Sequence, residues 1–195
     1  IYLRYTTPTY QTVAKLLIKD QEDNKKSGIK YSSNLGIISN SEGIDNEIEI
    51  LGSRSVAQDA VRDLKLYVNY TTKGRLKTIT LYRDQPLNVD VDSKHLENLN
   101  RPIELSIKRD SNTFILDGTY YVPTNERDAE GPFTLNTKFY SLPHSIVTRA
   151  GVITISSNQG RLLRKGEELN VTLQSPKNAC GQYVNDIQIS KSSQG

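Results

Sequence analysis

The chain has 195 residues, with 25 Lys and Arg residues against 22 Asp and Glu residues, one Cys, no Met and no Trp. This length predicts one large domain or two small intertwined ones, and the weak net charge of +3, spread among acids, argues against a nucleic-acid-binding stripe. The single Cys180 excludes an internal disulfide and a cysteine-based metal cluster, and no apolar run approaches the roughly 18–20 residues of a membrane span.

The N-terminal third is predicted to contain one strand, a long loop and the main helix. Tyr10 to Ile18 combines β-forming residues with an apolar finish and a charged stop, which is typical of a strand. Asp20 to Gly43 is predicted as a loop because it is rich in Ser, Asn, Gly and Lys. From Ile44 to Leu66, apolar residues recur at the spacing of an amphipathic helix. Gly52 costs this helix about 1 kcal/mol relative to Ala, which leaves open a kink or a division into two shorter helices.

Downstream of the helix, apolar and polar residues alternate with the period of β-strands. Predicted strands cover residues 77–83, 87–91, 103–107, 133–139, 152–155, 169–173 and 183–190. A short helix is predicted from Ser93 to Leu99, with Ser93 as its N-cap. Because strict alternation indicates one solvated face, these strands belong in antiparallel sheets. The predicted fold class is α+β, antiparallel and β-rich, with one main amphipathic helix packed on a sheet and a β-rich insertion.

The side chains that could carry chemistry are few, and none falls into a known catalytic or metal-binding spacing. His95 and His144 are predicted on exposed surfaces, His144 in a turn. Asp90 and Asp92 share one face of a strand about 7 Å apart; glycoside hydrolysis or calcium binding could use such a pair, but the alternation places both on the solvated face. Cys180 is expected to be a structural thiol. We therefore expect no covalent chemistry, no metal and no cofactor, and a function in binding or assembly.

Segments at both ends of the chain resemble one bacterial family. They are IYLRYTTPTYQTVAKLLIKD (1–20), SGIKYSSNLGIISNSEG (27–43), IDNEIEILGSRSVAQDAVRDLKLYVNY (44–70) and LNVTLQSPKNACGQYVNDIQI (169–189). In this order they resemble the Wzz-type chain-length determinant domain, in versions from Bacteroidetes-like bacteria. That domain is the periplasmic part of polysaccharide co-polymerases and of Wzc-like tyrosine autokinases. Two features depart from the family: Gly52 replaces a long side chain, and the β-rich block after the helix is extra.

The resemblance implies a division into a Wzz-like α+β core, residues 1–72 plus 165–195, and an inserted β-rich subdomain, residues 73–164. It implies a periplasmic domain of an inner-membrane protein that regulates the chain length and export of capsular or exopolysaccharide. The two membrane helices and any kinase domain would lie outside these residues. Because the first residue is Ile1 rather than Met, we expect the chain to be processed or cut from a longer protein.

The resemblance also implies partners. The domain would associate with itself into rings, with Asn46, Glu47 and Arg54 as candidate contacts between subunits. A polysaccharide polymerase or an outer-membrane exporter would be further partners, and no nucleic acid is expected. A surface pair between Arg54 and Glu47 within one chain, worth well under 1 kcal/mol, explains these two residues equally well.

A second interpretation, from a different class, is a secreted or periplasmic carbohydrate-binding β module. It depends on tyrosines of the β-rich block, with Tyr120, Tyr121 and Tyr140 as candidate glycan contacts. A tyrosine ring offers a sugar both an apolar face and a polar hydroxyl group. The absence of Trp and the frequency of half-buried tyrosines in strands count against this interpretation.

Overall fold

A computed structural model describes residues 11–16, 40–74 and 77–191. Within them the predicted class, α+β with antiparallel sheets and more strand than helix, is confirmed. The helices are α1 (Asn40–Leu51), α2 (Arg54–Asp63), α3 (Ser93–Asn98) and α4 (Pro176–Asp186). The strands are β1 (Val68–Lys73), β2 (Thr78–Leu81), β3 (Leu87–Val91), β4 (Ile103–Asp110), β5 (Thr113–Pro123), β6 (Ala129–Phe139), β7 (His144–Thr148), β8 (Gly151–Ser157) and β9 (Glu168–Leu173). No helix in these ranges is both long and apolar enough to cross a bilayer.

The main predicted helix is present but divided at Gly52. α1 ends at Leu51, and Ser53 is the N-cap of α2: its hydroxyl oxygen accepts a hydrogen bond from the N–H of Val56 at 3.4 Å. Ala57 and Val61 are buried on the inner face of α2, which packs against α4. The apolar spacing therefore predicted the buried face, while a side-chain cap within the same stretch separates the two helices.

The strands form two antiparallel sheets that share one hydrophobic core. The larger sheet has the order β2-β1-β9-β4-β5-β6, and the smaller has the order β3-β8-β7. Tyr70 on β1 joins them: its hydroxyl oxygen accepts from the N–H of Val89 at 2.9 Å, and its O–H donates to the Val89 carbonyl at 3.4 Å. These bonds satisfy backbone groups of β3, an edge strand of the smaller sheet.

Both parts of the predicted domain division contribute strands to the larger sheet. β9 lies between β1 and β4, and β4, β5 and β6 come from the predicted insertion. One row across this sheet runs from Tyr70 through Val171 to Leu105, and all three are buried. The boundaries at residues 73 and 164 thus cross one sheet and one core, and the division into two parts stays a prediction.

The predicted N-terminal strand is wrong in the part that the structure describes. Residues 11–16 belong to no helix or strand, and Val13 and Leu16 are exposed instead of packing on a sheet. Residues 10 and 17–39, which hold the rest of that strand and most of the predicted loop, lie outside the described residues. The loop prediction is wrong for residues 40–43, which begin α1.

The predicted C-terminal strand, residues 183–190, is also wrong. Residues 183–186 are the last turn of α4, and residues 187–190 are irregular. The helix begins at Ser175, whose hydroxyl oxygen accepts from the N–H of Asn178 at 3.3 Å, and Pro176 occupies its first turn. Ala179 and Cys180 are buried one turn later, so burial of a helical face outweighs the local β-forming residues.

Three smaller differences concern caps and strands. The N-cap of α3 is Asp92, not Ser93, because the Asp92 carboxylate accepts from the N–H of His95 at 3.1 Å. β5 was not predicted, although it is one of the two longest strands. β7 was not predicted either, and His144 begins this strand instead of lying in a turn.

The larger sheet has two unlike ends. At the helical end, α2 leads into β1, α3 leads into β4, and β9 leads into α4. At the loop end, residues 111–112 connect β4 to β5, and the segment 158–167 leads into β9. The candidate surfaces described below lie at these two ends.

Candidate functional site

The contacts predicted on α1 surround an exposed isoleucine. Ile50 is 54% exposed. Asn46 and Glu47 precede it by four and three residues, which places them on the same face of the helix, and both are exposed. We call these three residues the α1 patch. An apolar centre with a polar rim is the usual composition of a protein–protein interface.

The α1 patch lies on a helix that is held from the other end of the chain. The side chain of Ile189 lies against Gly52, and the Nζ of Lys191 pairs with Asp45 Oδ1 at 2.5 Å. The chain that follows α4 therefore runs back along α1. These contacts stabilise the direction of α1 relative to the rest of the fold.

Arg54, the third predicted contact, is used within the chain. Its Nη2 donates to the carbonyl oxygen of Lys177 at 2.8 Å, which joins the first turn of α2 to the first turn of α4. In the part of the chain that the structure describes, Arg54 and Glu47 do not form the intrachain pair considered as an alternative. Arg54 remains exposed, but its guanidinium group already has a structural role.

The three candidate tyrosines do not form a common surface. Tyr120 is only 8% exposed and packs on Phe133, with the ring centroids 5.4 Å apart. The prediction of an exposed platform is therefore wrong for Tyr120, because this residue faces the core side of β5. Tyr121 is half-buried on the opposite face, and Tyr140 is 74% exposed at the loop end. Only Tyr140 offers its ring freely to a ligand.

Asp90 takes part in contacts that hold the segment between α2 and β1 to β3. Its Oδ2 lies 2.5 Å from the Nζ of Lys65, and its Oδ1 accepts from the hydroxyl group of Tyr67 at 3.2 Å. Burial, and then the charge of Asp90, raise the pKa of Tyr67 above its ordinary value. Asp90 thus makes structural contacts with two residues of this segment.

Asp92 combines the N-cap of α3 with a contact to β8. It accepts from the N–H of Val152 at 3.0 Å, and its Oδ1 lies 2.6 Å from Nδ1 of His95. The Val152 hydrogen bond and the bonds to His95 lower the pKa of Asp92. A histidine oriented by a carboxylate can act as a base, but within the described residues no hydroxyl or thiol group is hydrogen-bonded to His95. The pair therefore serves as a helix cap.

His144 and Cys180 have structural surroundings. The His144 ring stacks on Phe139 with a centroid separation of 4.5 Å and an interplanar angle of 4°, so the predicted exposed turn histidine is instead half-buried. Cys180 is buried, and its thiol donates to the carbonyl oxygen of Lys177 at 3.2 Å. This environment agrees with a structural thiol.

A cleft of about 610 Å³ opens beside α3, and its polar lining mixes asparagines with acidic and basic side chains. Asn100 donates through Nδ2 to the carbonyl oxygens of Asn125 at 3.0 Å and Asp128 at 2.6 Å. Its Oδ1 is buried and has no hydrogen-bond partner. Because that oxygen is buried, it is not presented to a ligand in the cleft.

The loop end carries basic residues that were not predicted as a group. Lys73, Lys108 and Lys138 come from three different strands, and each lies near the loop end of its strand. In the linear sequence they lie 35 and 30 positions apart, so no local run of basic residues marks them. The alternation of buried and exposed positions along each strand could have identified them, because all three lysines fall at exposed positions.

No group of three His, Cys, Asp or Glu residues is placed to hold a metal ion in the ranges that the structure describes. A comparison with protein-family models gives no match, and a comparison with curated proteins gives none either. The function of the chain is therefore inferred from its residues, its fold and the resemblance of its terminal segments.

Proposed function

We propose that the chain is a non-catalytic periplasmic assembly domain of an inner-membrane protein that regulates the chain length and export of capsular or exopolysaccharide. The resemblance of residues 1–70 and 169–189 to Wzz-type domains supports this proposal. The observation that carries it is the α1 patch: the helix with the most specific part of the resemblance exposes Ile50 between polar neighbours.

The α1 patch suits a weak contact with a second copy of the chain. Burying one isoleucine contributes about 1.5–3 kcal/mol at most, and a stable interface needs about 800 Å² from each partner. The isolated chain is therefore expected to be monomeric in dilute solution. Two membrane anchors would hold the copies close together, and a high effective concentration turns a weak contact into a stable assembly.

The test uses the full-length membrane protein in its own host. Ile50→Asp places a charge at the centre of the α1 patch and is expected to abolish the oligomer in detergent extracts and to shift the polysaccharide to an altered length distribution on gels. Val147→Asp is the matched control, because Val147 is also exposed but lies on β7. Oligomers and polysaccharide lengths that are unchanged in the Ile50→Asp variant would reject the proposal.

A further inference from the structure

Three strands of the larger sheet place lysines in one row at the loop end. Lys108 pairs in register with Glu168 on β9 and with Ile115 on β5, and Ile115 pairs with Lys138 on β6. Lys73 extends the row on the other side, with its Nζ 3.9 Å from Glu168. The row therefore holds three lysines and one glutamate on the outer face of the sheet.

The segment 158–167 adds further basic residues beside this row. The N–H of Gly166 donates to the carbonyl oxygen of Arg109 at 2.8 Å, and the N–H of Arg109 donates to that of Glu167 at 3.4 Å. These bonds fix the segment against the end of β4. Arg164 and Lys165, next to Gly166, are exposed. We call Lys73, Lys108, Lys138, Arg164 and Lys165 the basic surface.

Most charges of the basic surface are not neutralised within the chain. Among the described residues, no acid forms an ion pair with Lys108, Lys138, Arg164 or Lys165. Glu167, the acid nearest in sequence to Arg164 and Lys165, is already paired with Arg161, and Asp110 is an exposed acid two residues from Lys108. Unpaired like charges at one end of a protein create a positive potential that attracts anions.

An exposed aromatic ring lies beside these charges. Tyr140 follows Lys138 by two residues, directly after the end of β6, and is 74% exposed. Further along the outer face of the sheet, Glu104 and Asp117 are exposed acids, so the surface favourable to anions ends at the lysine row. Tyr82 is also exposed and carries Arg83 over its ring, but the loop end combines an exposed tyrosine with a row of lysines.

We propose that the basic surface and Tyr140 bind an acidic polysaccharide whose sugars carry carboxylate groups. Arg164 can hold a carboxylate through two parallel hydrogen bonds, the lysines supply point charges, and the Tyr140 ring can stack on the apolar face of a sugar. The proposal rests on the proposed function, which brings a polysaccharide to this domain.

The orientation of the chain favours a polysaccharide over two other anionic partners. Lys191 lies against Asp45 of α1, so the segment that follows α4 returns to the helical end. In the proposed membrane protein that end faces the bilayer, which keeps the basic surface away from lipid headgroups. The acidic helix α1 of a neighbouring copy, anchored in the same bilayer, is kept away as well.

The test measures binding of polygalacturonate to the 195-residue chain by calorimetry, at about 50 and about 200 mM salt. The same polymer with its carboxyl groups reduced to alcohols is the neutral comparison. We expect binding of polygalacturonate that weakens with salt, and no binding of the reduced polymer. Equal binding of both polymers, or binding of neither, would overturn the proposal.

Variants locate the binding. Arg164→Gln together with Lys165→Gln is expected to weaken affinity about five- to tenfold. Lys94→Gln together with Arg101→Gln removes the same charge from exposed positions near the helical end and is expected to change affinity less than about twofold. Equal losses in both double variants would mean attraction by net charge alone, against the proposal.

Variants of Tyr140 measure the contribution of its ring to binding. Tyr140→Ala is expected to weaken binding about fivefold, and Tyr140→Phe is expected to retain it because the ring remains. A loss that is the same in both variants would reject stacking.

Tighter binding of phosphatidylglycerol vesicles or of poly-thymidylate than of polygalacturonate would reassign the surface to lipid or nucleic acid and overturn the proposal.

The failure of this inference differs from the failure of the proposed function. If polygalacturonate does not bind but Ile50→Asp still alters polysaccharide length, only the acidic-polysaccharide surface is wrong. If polygalacturonate binds through the basic surface but Ile50→Asp leaves the oligomer intact, the assembly role of the α1 patch is wrong.

Discussion

The helical end and the loop end of the molecule use their charges differently. At the helical end, Arg62 donates to Asp59 at 2.6 Å and to Glu97 at 2.7 Å, and Lys65 contacts Asp90. These charges connect one element to another. At the loop end, the charges of the basic surface are mostly exposed and unpaired within the described residues. Paired charges connect elements of the fold, whereas exposed charges without an ion pair remain available to a partner.

The largest expected effects come from the core that joins the two ends. Leu173→Ala near the helical end and Leu116→Ala in β5 each empty a fully buried position and are expected to lower the free energy of unfolding by about 2–5 kcal/mol. Both variants should unfold in one transition, measured by circular dichroism in urea, because both residues belong to one core. Exposed Leu162→Ala serves as the control, with a change within about 0.5 kcal/mol.

Two separate transitions in either variant would contradict a shared core. That outcome would instead favour the predicted division into residues 1–72 plus 165–195 and residues 73–164. The comparison of the two ends would then be a comparison of two folding units.

The contact between the sheets is expected to have the next largest effect. Tyr70→Phe leaves the N–H and the carbonyl oxygen of Val89 without their buried partner, which costs about 1–3 kcal/mol. Urea unfolding at neutral pH measures this loss. A change below about 0.5 kcal/mol would show that water replaces the hydroxyl group at the edge of β3.

The same residue predicts an alkaline limit to stability. Burial raises the pKa of Tyr70 from 10 to about 12. Because the unfolded chain loses the phenol proton first, stability is fully present below pH 10 and falls as pH rises through 12. Tyr70→Phe should flatten this fall in unfolding curves measured across the window. An equally steep fall in the variant would assign it to other groups, such as Tyr67, whose pKa is also raised.

A smaller effect is expected from the cap at the helical end. Asp92→Ala removes the N-cap of α3 and the acceptor for Val152, at a cost of about 0.5–2 kcal/mol. Since the folded pKa of Asp92 is lowered, its contribution is present above the ordinary aspartate pKa and is lost as pH falls through the folded value. Asp110→Ala at the loop end, where the residue is exposed, should change the free energy of unfolding by less than about 0.5 kcal/mol. If Asp92→Ala and Asp110→Ala lower the free energy of unfolding equally, the contrast between structural charges at the helical end and exposed charges at the loop end would be contradicted.

Two glycines are expected to respond to alanine in opposite directions, with the smallest effect at Gly52. At Gly52 the backbone is not left-handed and an added Cβ would make ordinary contacts, so Gly52→Ala should stabilise the chain by about 0.4–1 kcal/mol. Gly166 has a φ of +76°, so Gly166→Ala should instead lower the free energy of unfolding by about 1–2 kcal/mol. Thermal unfolding measures both changes. Destabilisation by Gly52→Ala would mean that the joint between α1 and α2 depends on glycine.

Strands with strict alternation could be predicted because burial of one face dictates the pattern. β3, β4, β8 and β9 lie where the period-two signal placed them. α4 could not be found in this way, because its β-forming residues Tyr183 and Val184 pack against the core from a helix. Its true signal was the Ser175-Pro176 pair, which is a helix start as well as a turn.

The candidate surfaces were predictable only in part. The resemblance named Asn46 and Glu47 as candidate contacts, and helical spacing then places them around Ile50. Tyr120 was misjudged because both faces of β5 carry tyrosine, so local alternation could not say which one is buried. The basic surface depends on strand register, which brings Lys73 and Lys138 into one row across 65 positions of sequence, and no local pattern contains that information.

The central claim, that the α1 patch contacts a second copy of the chain, is tested most directly by photocrosslinking in membranes. Glu47→Cys in the full-length protein is labelled with a benzophenone maleimide, and buried Cys180 is the only native thiol within these 195 residues. A non-specific photoprobe is needed because residues in a ring contact different residues of their neighbours. We predict an adduct of twice the subunit mass from position 47 that is lost on adding Ile50→Asp, and none from Asp110→Cys. A monomer alone from position 47, or an adduct that Ile50→Asp leaves unchanged, would contradict the claim.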